Sequence, residues 1–183
     1  MPHRVLAAFP ALLRPAAALL LATLFVLVLP APRPAMADGG WREDFGSLKH
    51  YSGLTCPERI GALERSEVAG TASLMLASCT YRTGEVFVVV QLWEQGYLKR
   101  ALEDYRARFS TIGFKQVGGA GLASRGLTFV VGYDGKVQRR ETIWPVSVGR
   151  RGLVVWMNYA YPLDERRMET AYTDMVEMLR AMK

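Results

Sequence analysis

Hydrophobic and polar positions divide the chain into an apolar leader and a series of strand-like and helix-like segments. The clearest is Val86–Trp93, which is β-branched or aromatic at almost every position. A run so short and so apolar predicts a strand covered on both faces. Gly96 breaks it. Leu98, Ala101, Leu102, Tyr105, Phe109 and Ile112 then share one helical stripe, with Gly113 as the stop, which predicts a helix over about 97–112. A second helix is predicted over 164–182, capped by Asp164, with Met168, Ala171, Tyr172, Met175, Leu179 and Met182 on one stripe.

Strand patterns occur at 60–67 (weakly), 73–81, 127–133, 136–148 and 153–161, with a short one at 114–117. Asp134-Gly135 is a two-residue hairpin signal, and Arg150-Arg151 reads as the next turn. For unbroken ladders these turns set Thr128 opposite Glu141, Trp144 opposite Met157, Val146 opposite Val155 and Glu141 opposite Ala160. Alternation then puts Leu127, Phe129, Trp144, Val146, Val155, Met157 and Tyr159 on the face to be covered by the helices. Thr128, Arg139, Glu141, Ile143, Trp156 and Asn158 occupy the other, mixed face. The prediction is an α+β domain over 51–183 with a mainly antiparallel sheet of about six strands and two packing helices. Residues 38–50 are polar and aperiodic and read as a flexible arm, with Trp41 and Phe45 as the residues that would dock it.

Composition changes this picture mainly at the N-terminus. Arg4 and Arg14, an apolar run of 14 residues from Ala16 to Leu29 and the small-x-small site Ala35-Met36-Ala37 form a secretory signal pattern, with cleavage predicted after Ala37. The run is short against the roughly 20 residues of a membrane span. The expectation is therefore a periplasmic or secreted protein with no stable span after cleavage. The leader holds three of the 23 basic residues and none of the 17 acidic ones, so the remainder carries a formal charge of only +3. That gives no basis for a nucleic-acid partner. Arginine outnumbers lysine 18 to 5, a bias that suggests a bacterial source. Cys56 and Cys79 are the only cysteines, and in an oxidising compartment they predict one disulfide.

The chemical inventory is sparse. His50 is the only histidine beyond the leader, so a histidine-rich metal site is excluded and a Ser-His-Asp arrangement would depend on a residue in the arm. No S-x-x-K, P-loop or H-E-x-x-H pattern is present, and Gly118-Gly119-Ala120-Gly121 reads as a plain loop. Glu141 is the best carboxylate candidate, with Arg139 as its expected ion-pair partner on the same face. Arg139-Arg140, Arg150-Arg151 and Arg166-Arg167 are arginine doublets. Neighbours on a strand point to opposite faces, so Arg139 and Arg140 cannot act together, and Arg140 is expected to lie over an aromatic ring.

The closing stretch Leu153-Val-Val-Trp-Met-Asn-Tyr-Ala-Tyr-Pro162, followed by an amphipathic helix, resembles the end of PsbP/Mog1-like α+β domains. The resemblance is one of element order over roughly 51–183. It implies a sandwich around an antiparallel sheet and an accessory, partner-binding role, and it assigns no residue.

The reading that results is a non-enzymatic, exported binding module needing no cofactor or metal. Its partner would be a protein or small molecule of the cell envelope. The candidate contact residues are Arg139, Glu141, Trp156 and Asn158 on the mixed face, or Arg150 and Arg151 at the turn. Two alternatives use the same residues: a carboxylate-dependent hydrolase of an envelope polymer, and an electrostatic adaptor for anionic envelope surfaces.

Overall fold

The computed structural model describes residues 38–182; the predicted signal segment and the predicted cleavage site after Ala37 lie outside them. The described part is α+β. In chain order it contains β1 (Trp41–Asp44), β2 (Ser47–His50), β3 (Thr55–Pro57), β4 (Arg59–Ile60), β5 (Leu63–Ala69), β6 (Met75–Thr83), β7 (Val86–Trp93), α1 (Leu98–Ile112), β8 (Lys115–Val117), β9 (Leu127–Asp134), β10 (Val137–Val148), β11 (Arg151–Tyr161) and α2 (Glu165–Ala181). One sheet has eight strands in the order β4-β5-β6-β7-β11-β10-β9-β8, and a second has three, β1-β2-β3. All their ladders are antiparallel. The strand count thus exceeds the expected six. The additional strands are two to four residues long and lie in polar, Gly- or Pro-containing stretches, where alternation has too few positions to register. Among the described residues no helix is long and apolar enough to cross a membrane.

Residues 38–50 correct the expectation of an arm. They hold the β1–β2 hairpin, in which Trp41 pairs with His50. Both residues are buried, whereas Phe45 at the turn is fully exposed. The His50 ring sits 4.9 Å from Trp41 and 4.2 Å from Tyr51. Its Nε2–H donates to the Gly39 carbonyl at 2.9 Å, and its Nδ1 accepts from Ser52 Oγ at 2.7 Å. Polarity concealed this hairpin, because only one residue in each strand is fully buried, with Leu48 of β2 partly buried against the core. Cys56 on β3 is joined to Cys79 on β6, which ties the small sheet to the large one.

The two helices lie on opposite faces of the large sheet, not on one. Met168, Ala171, Met175, Val176 and Leu179 of α2 join a buried cluster with Val86, Val88, Val90 and Leu92 of β7, Trp144 and Val146 of β10, and Leu153, Val155, Met157 and Tyr159 of β11. Trp41 and Cys56 of the small sheet, and Leu54 in the loop between β2 and β3, belong to the same cluster. Under α1 a separate cluster forms from Phe109, Phe129, Ile143 and Val154, with Leu98, Leu102, Tyr105, Phe114, Leu127 and Trp156 against it. Strands apolar on both faces need a covering layer on each side. Gly113 ends α1 in the left-handed conformation (φ 93°), and the N–H of Phe114 donates to the Phe109 carbonyl at 2.9 Å, folding Phe114 back onto the Phe109 ring. At the other end, a Cβ on Gly152 would stand 3.1 Å from the Leu98 Cβ, so a glycine there lets α1 approach β11 closely.

The registers depart from the sequence reading in three ways. The β9–β10 turn is Gly135-Lys136 and not Asp134-Gly135, so Asp134 pairs with Val137 and Tyr133 with Gln138. The β10–β11 turn is Gly149-Arg150, with Val148 paired to Arg151, so Trp144 faces Val155 and Val146 faces Leu153. This is a slip of two residues, which preserves the faces. Between β9 and β10 a bulge at Arg139/Arg140 shifts the register by an odd step, so Glu141 faces Phe129 and Thr128 faces Thr142. The faces of β9 are thereby exchanged. Leu127 and Phe129 lie under α1, while Thr128 joins a buried hydroxyl chain, Thr128–Thr142–Tyr159, with steps of 2.9 Å.

Asp164 stands at the start of α2 but caps none of its amides. Its Oδ2 accepts from the Ala160 N–H at 3.2 Å and its Oδ1 from Arg167 at 2.9 Å, closing the corner between β11 and α2.

Candidate functional site

β10, β11 and β7 are adjacent, and their odd-even alternation sets one row of side chains on the α1 side: Glu141, then Asn158, then Phe87. A second row holds Ile143, Trp156 and Val89. Glu141 is the acceptor at the centre. Trp156 Nε1–H donates to its Oε2 at 2.9 Å, and Asn158 Nδ2–H donates to its Oε1 at 3.0 Å. Three of the four mixed-face candidates therefore form one hydrogen-bonded unit.

Arg139 is on the same face but does not pair with Glu141. Its Nη2 lies 4.0 Å from Glu85 Oε2, in the β6–β7 turn. The two strands β11 and β7 bring Glu85 to this end of the sheet, a proximity that spacing within β10 could not disclose. Arg82 completes the edge, its guanidinium 4.8 Å from the Phe87 ring centroid. Arg140, on the opposite face, stacks 3.4 Å from the Tyr161 ring as expected and takes Gln138 as a hydrogen-bond partner at 2.8 Å. Arg150 and Arg151 belong to the far end of the β10–β11 hairpin. Arg150 is exposed, and Arg151 donates to the Gly53 carbonyl at 3.1 Å, fastening the turn to the small sheet.

α1 walls this face. The Tyr105 ring lies 5.9 Å from Trp156, and Phe87 meets Trp156 edge-on at 5.9 Å. The Tyr105 hydroxyl donates to Gln91 Oε1 at 3.0 Å, and Trp93 Nε1–H reaches the same oxygen at 3.3 Å. Beyond Tyr105, between α1, β6 and β7, is a crease of about 240 Å³ lined by Ala72, Met75, Gln91, Trp93, Ala101, Asp104, Tyr105 and Arg108. The sequence reading placed Trp93 in a strand and Tyr105 in a helical stripe and missed this grouping. Its one signal was Gln91, the sole strongly polar side chain in Val86–Trp93.

Burial pushes the Glu141 carboxyl above its ordinary range, and the hydrogen bonds from Asn158 and Trp156 oppose that shift. Burial likewise raises the Tyr105 hydroxyl; its bond to Gln91 opposes the shift, the Glu141 charge adds to it and Arg108 opposes it. Since folded Glu141 holds its proton more tightly than the unfolded chain does, the stability it contributes is full below the ordinary glutamate value. It is lost as pH rises through the folded value. Glu141→Gln should therefore flatten the decline in stability across the weakly acid range just above the ordinary glutamate value. Urea unfolding at a series of pH values reads this directly, and equal slopes for the two proteins would show that the carboxyl is not held up.

Chemically, the unit is a half-buried acceptor held by two donors and flanked by aromatic rings and guanidinium groups. No second carboxylate is among the groups that shift Glu141. Among the described residues, no group of three or more His, Cys, Asp or Glu side chains is placed to hold a metal ion. No protein-family model, curated protein or solved structure matches this chain.

Proposed function

We propose that the protein is an exported, non-enzymatic accessory module that captures a partner of the cell envelope on the α1 side of its large sheet. The observation that carries this reading is the ordered cluster at the Glu85 end of that face. Phe87, Trp156 and Asn158 surround the doubly bonded Glu141, and the Arg82 and Arg139 guanidinium groups stand at the edge. Aromatic surface next to fixed polar groups and cations is the composition of binding hot spots. The signal-like leader supports export, and the element order resembling PsbP/Mog1-like domains supports an accessory role.

The test is native mass spectrometry of the protein purified gently from the exported fraction of its own host. A retained protein or small-molecule adduct is expected, and Arg82→Ala with Arg139→Ala should abolish it. Both side chains are substantially exposed, so the melting temperature should hardly move. Trp156 is a poorer probe, because it also packs under α1. Arg150→Ala, at the remote turn, should retain the adduct. Loss in Arg150→Ala with retention in the double variant would move the contact surface to the turn and overturn the assignment to this face.

A further inference from the structure

We propose that the crease between α1 and β7 is a binding site for a small zwitterion, an α-amino acid with an apolar side chain. The inference rests on the binding-module reading and names a ligand class for the neighbouring part of the same face. The crease, at about 240 Å³, falls below the roughly 300–1,000 Å³ of pockets for drug-sized ligands, which suits a ligand of about a dozen non-hydrogen atoms. Its walls are Trp93, Tyr105, Met75 and Ala101, surfaces suited to an aromatic or branched aliphatic side chain.

The polar groups are what select the class. Trp93 can only donate, so the Gln91 oxygen must face it, and Tyr105 donates to that same oxygen. The amide orientation of Gln91 is thereby set. Its nitrogen makes no hydrogen bond among the described residues and is left as a donor in the crease it lines. On the lip, α1 presents Asp104 and Arg108, one turn apart. They do not close on each other. Asp104 is drawn the other way, to Arg100 at 4.0 Å, and among the described residues Arg108 has no carboxylate within 4.0 Å. A simple carboxylate would meet repulsion from Asp104, and a simple amine repulsion from Arg108. A molecule carrying both groups on one carbon satisfies both: the carboxylate takes Arg108 and the Gln91 amide, and the ammonium takes Asp104.

Isothermal titration of the protein, purified after expression of the full chain, with L-phenylalanine tests this. One-to-one saturable binding is expected. Phenylacetate, which lacks the ammonium, and phenethylamine, which lacks the carboxylate, should each bind about tenfold or more weakly. Arg108→Gln should weaken L-phenylalanine by about tenfold while sparing phenethylamine, and Asp104→Asn should weaken it similarly while sparing phenylacetate. Both positions are exposed, so unchanged thermal melts confirm that the variants are folded. Absence of saturable binding by both L-phenylalanine and L-leucine overturns the proposal, as does L-phenylalanine binding that neither variant alters. If the crease fails in this way while native mass spectrometry still finds a partner that the Arg82/Arg139 variant releases, the zwitterion site falls and the binding-module reading stands. L-Phenylalanine binding without any such partner keeps the zwitterion site and removes partner capture at the Arg82 and Arg139 edge.

Discussion

Trp144→Ala is expected to lower the unfolding free energy by about 3–5 kcal/mol. Trp144 is the largest fully buried side chain, and it links three elements. Its ring packs 4.7 Å from Tyr172 of α2. Its Nε1–H donates at 3.0 Å to the carbonyl of Leu122, in the short 3-10 helix Gly121–Arg125. The Leu122 N–H in turn donates to Glu169 of α2 at 3.3 Å. Truncation leaves a cavity between sheet and helix and an orphaned carbonyl beside it. Trp144→Phe separates the two effects: it keeps most of the ring and should cost about 1–3 kcal/mol, chiefly for the unpaired carbonyl. Urea unfolding of the two variants checks both values. A cost under about 1 kcal/mol for the alanine variant would mean that α2 collapses onto the sheet without the indole.

Removing the Cys56–Cys79 bond, by Cys56→Ala with Cys79→Ala, should cost about 3 kcal/mol. The bond closes a loop with 22 residues inside it and so restricts the unfolded chain. Both cysteines are fully buried in the α2-side core, so the lost sulfur packing adds to that figure. The defect should be largest where the bond acts, at the small sheet. Amide hydrogen exchange of β1–β3 should accelerate more than that of β10 and β11 in the double variant. Uniform acceleration would indicate that the two sheets unfold as one unit even without the bond.

What could be read from the chain follows from how far each inference had to reach. The central strand, both helices and the hairpin of β10 and β11 depend on local periodicity, and they lie where that periodicity puts them. The turn at Gly149-Arg150 instead of Arg150-Arg151 moved the partners by two residues, which alternation forgives. Glu141, Trp156 and Asn158 consequently share a face as anticipated. The β9 faces were misjudged because a bulge leaves no mark in composition at Arg139-Arg140. The ion pair of Arg139 with Glu85, and the meeting of Gln91 with Tyr105, join residues from separate elements. Such contacts are consequences of sheet order and helix placement, which no local pattern encodes. The β1–β2 hairpin was concealed for a different reason: a strand of four residues with one buried side chain resembles any polar segment.

The bulge at Arg139/Arg140 also acts as a phase shifter for the whole outer half of the sheet. Its extra residue is Val131 of β9, which has no partner between Gly132, opposite Arg139, and Val130, opposite Arg140. A ladder running on from the turn without that bulge would set Phe129 opposite Thr142. Phe129 and Leu127 would then face α2, and Thr128 would lie beneath α1. One core would lose its phenyl ring to a hydroxyl, and the other would have to house that ring in the space of a threonine. The single odd residue is therefore as much a part of the fold's arithmetic as any side chain it positions.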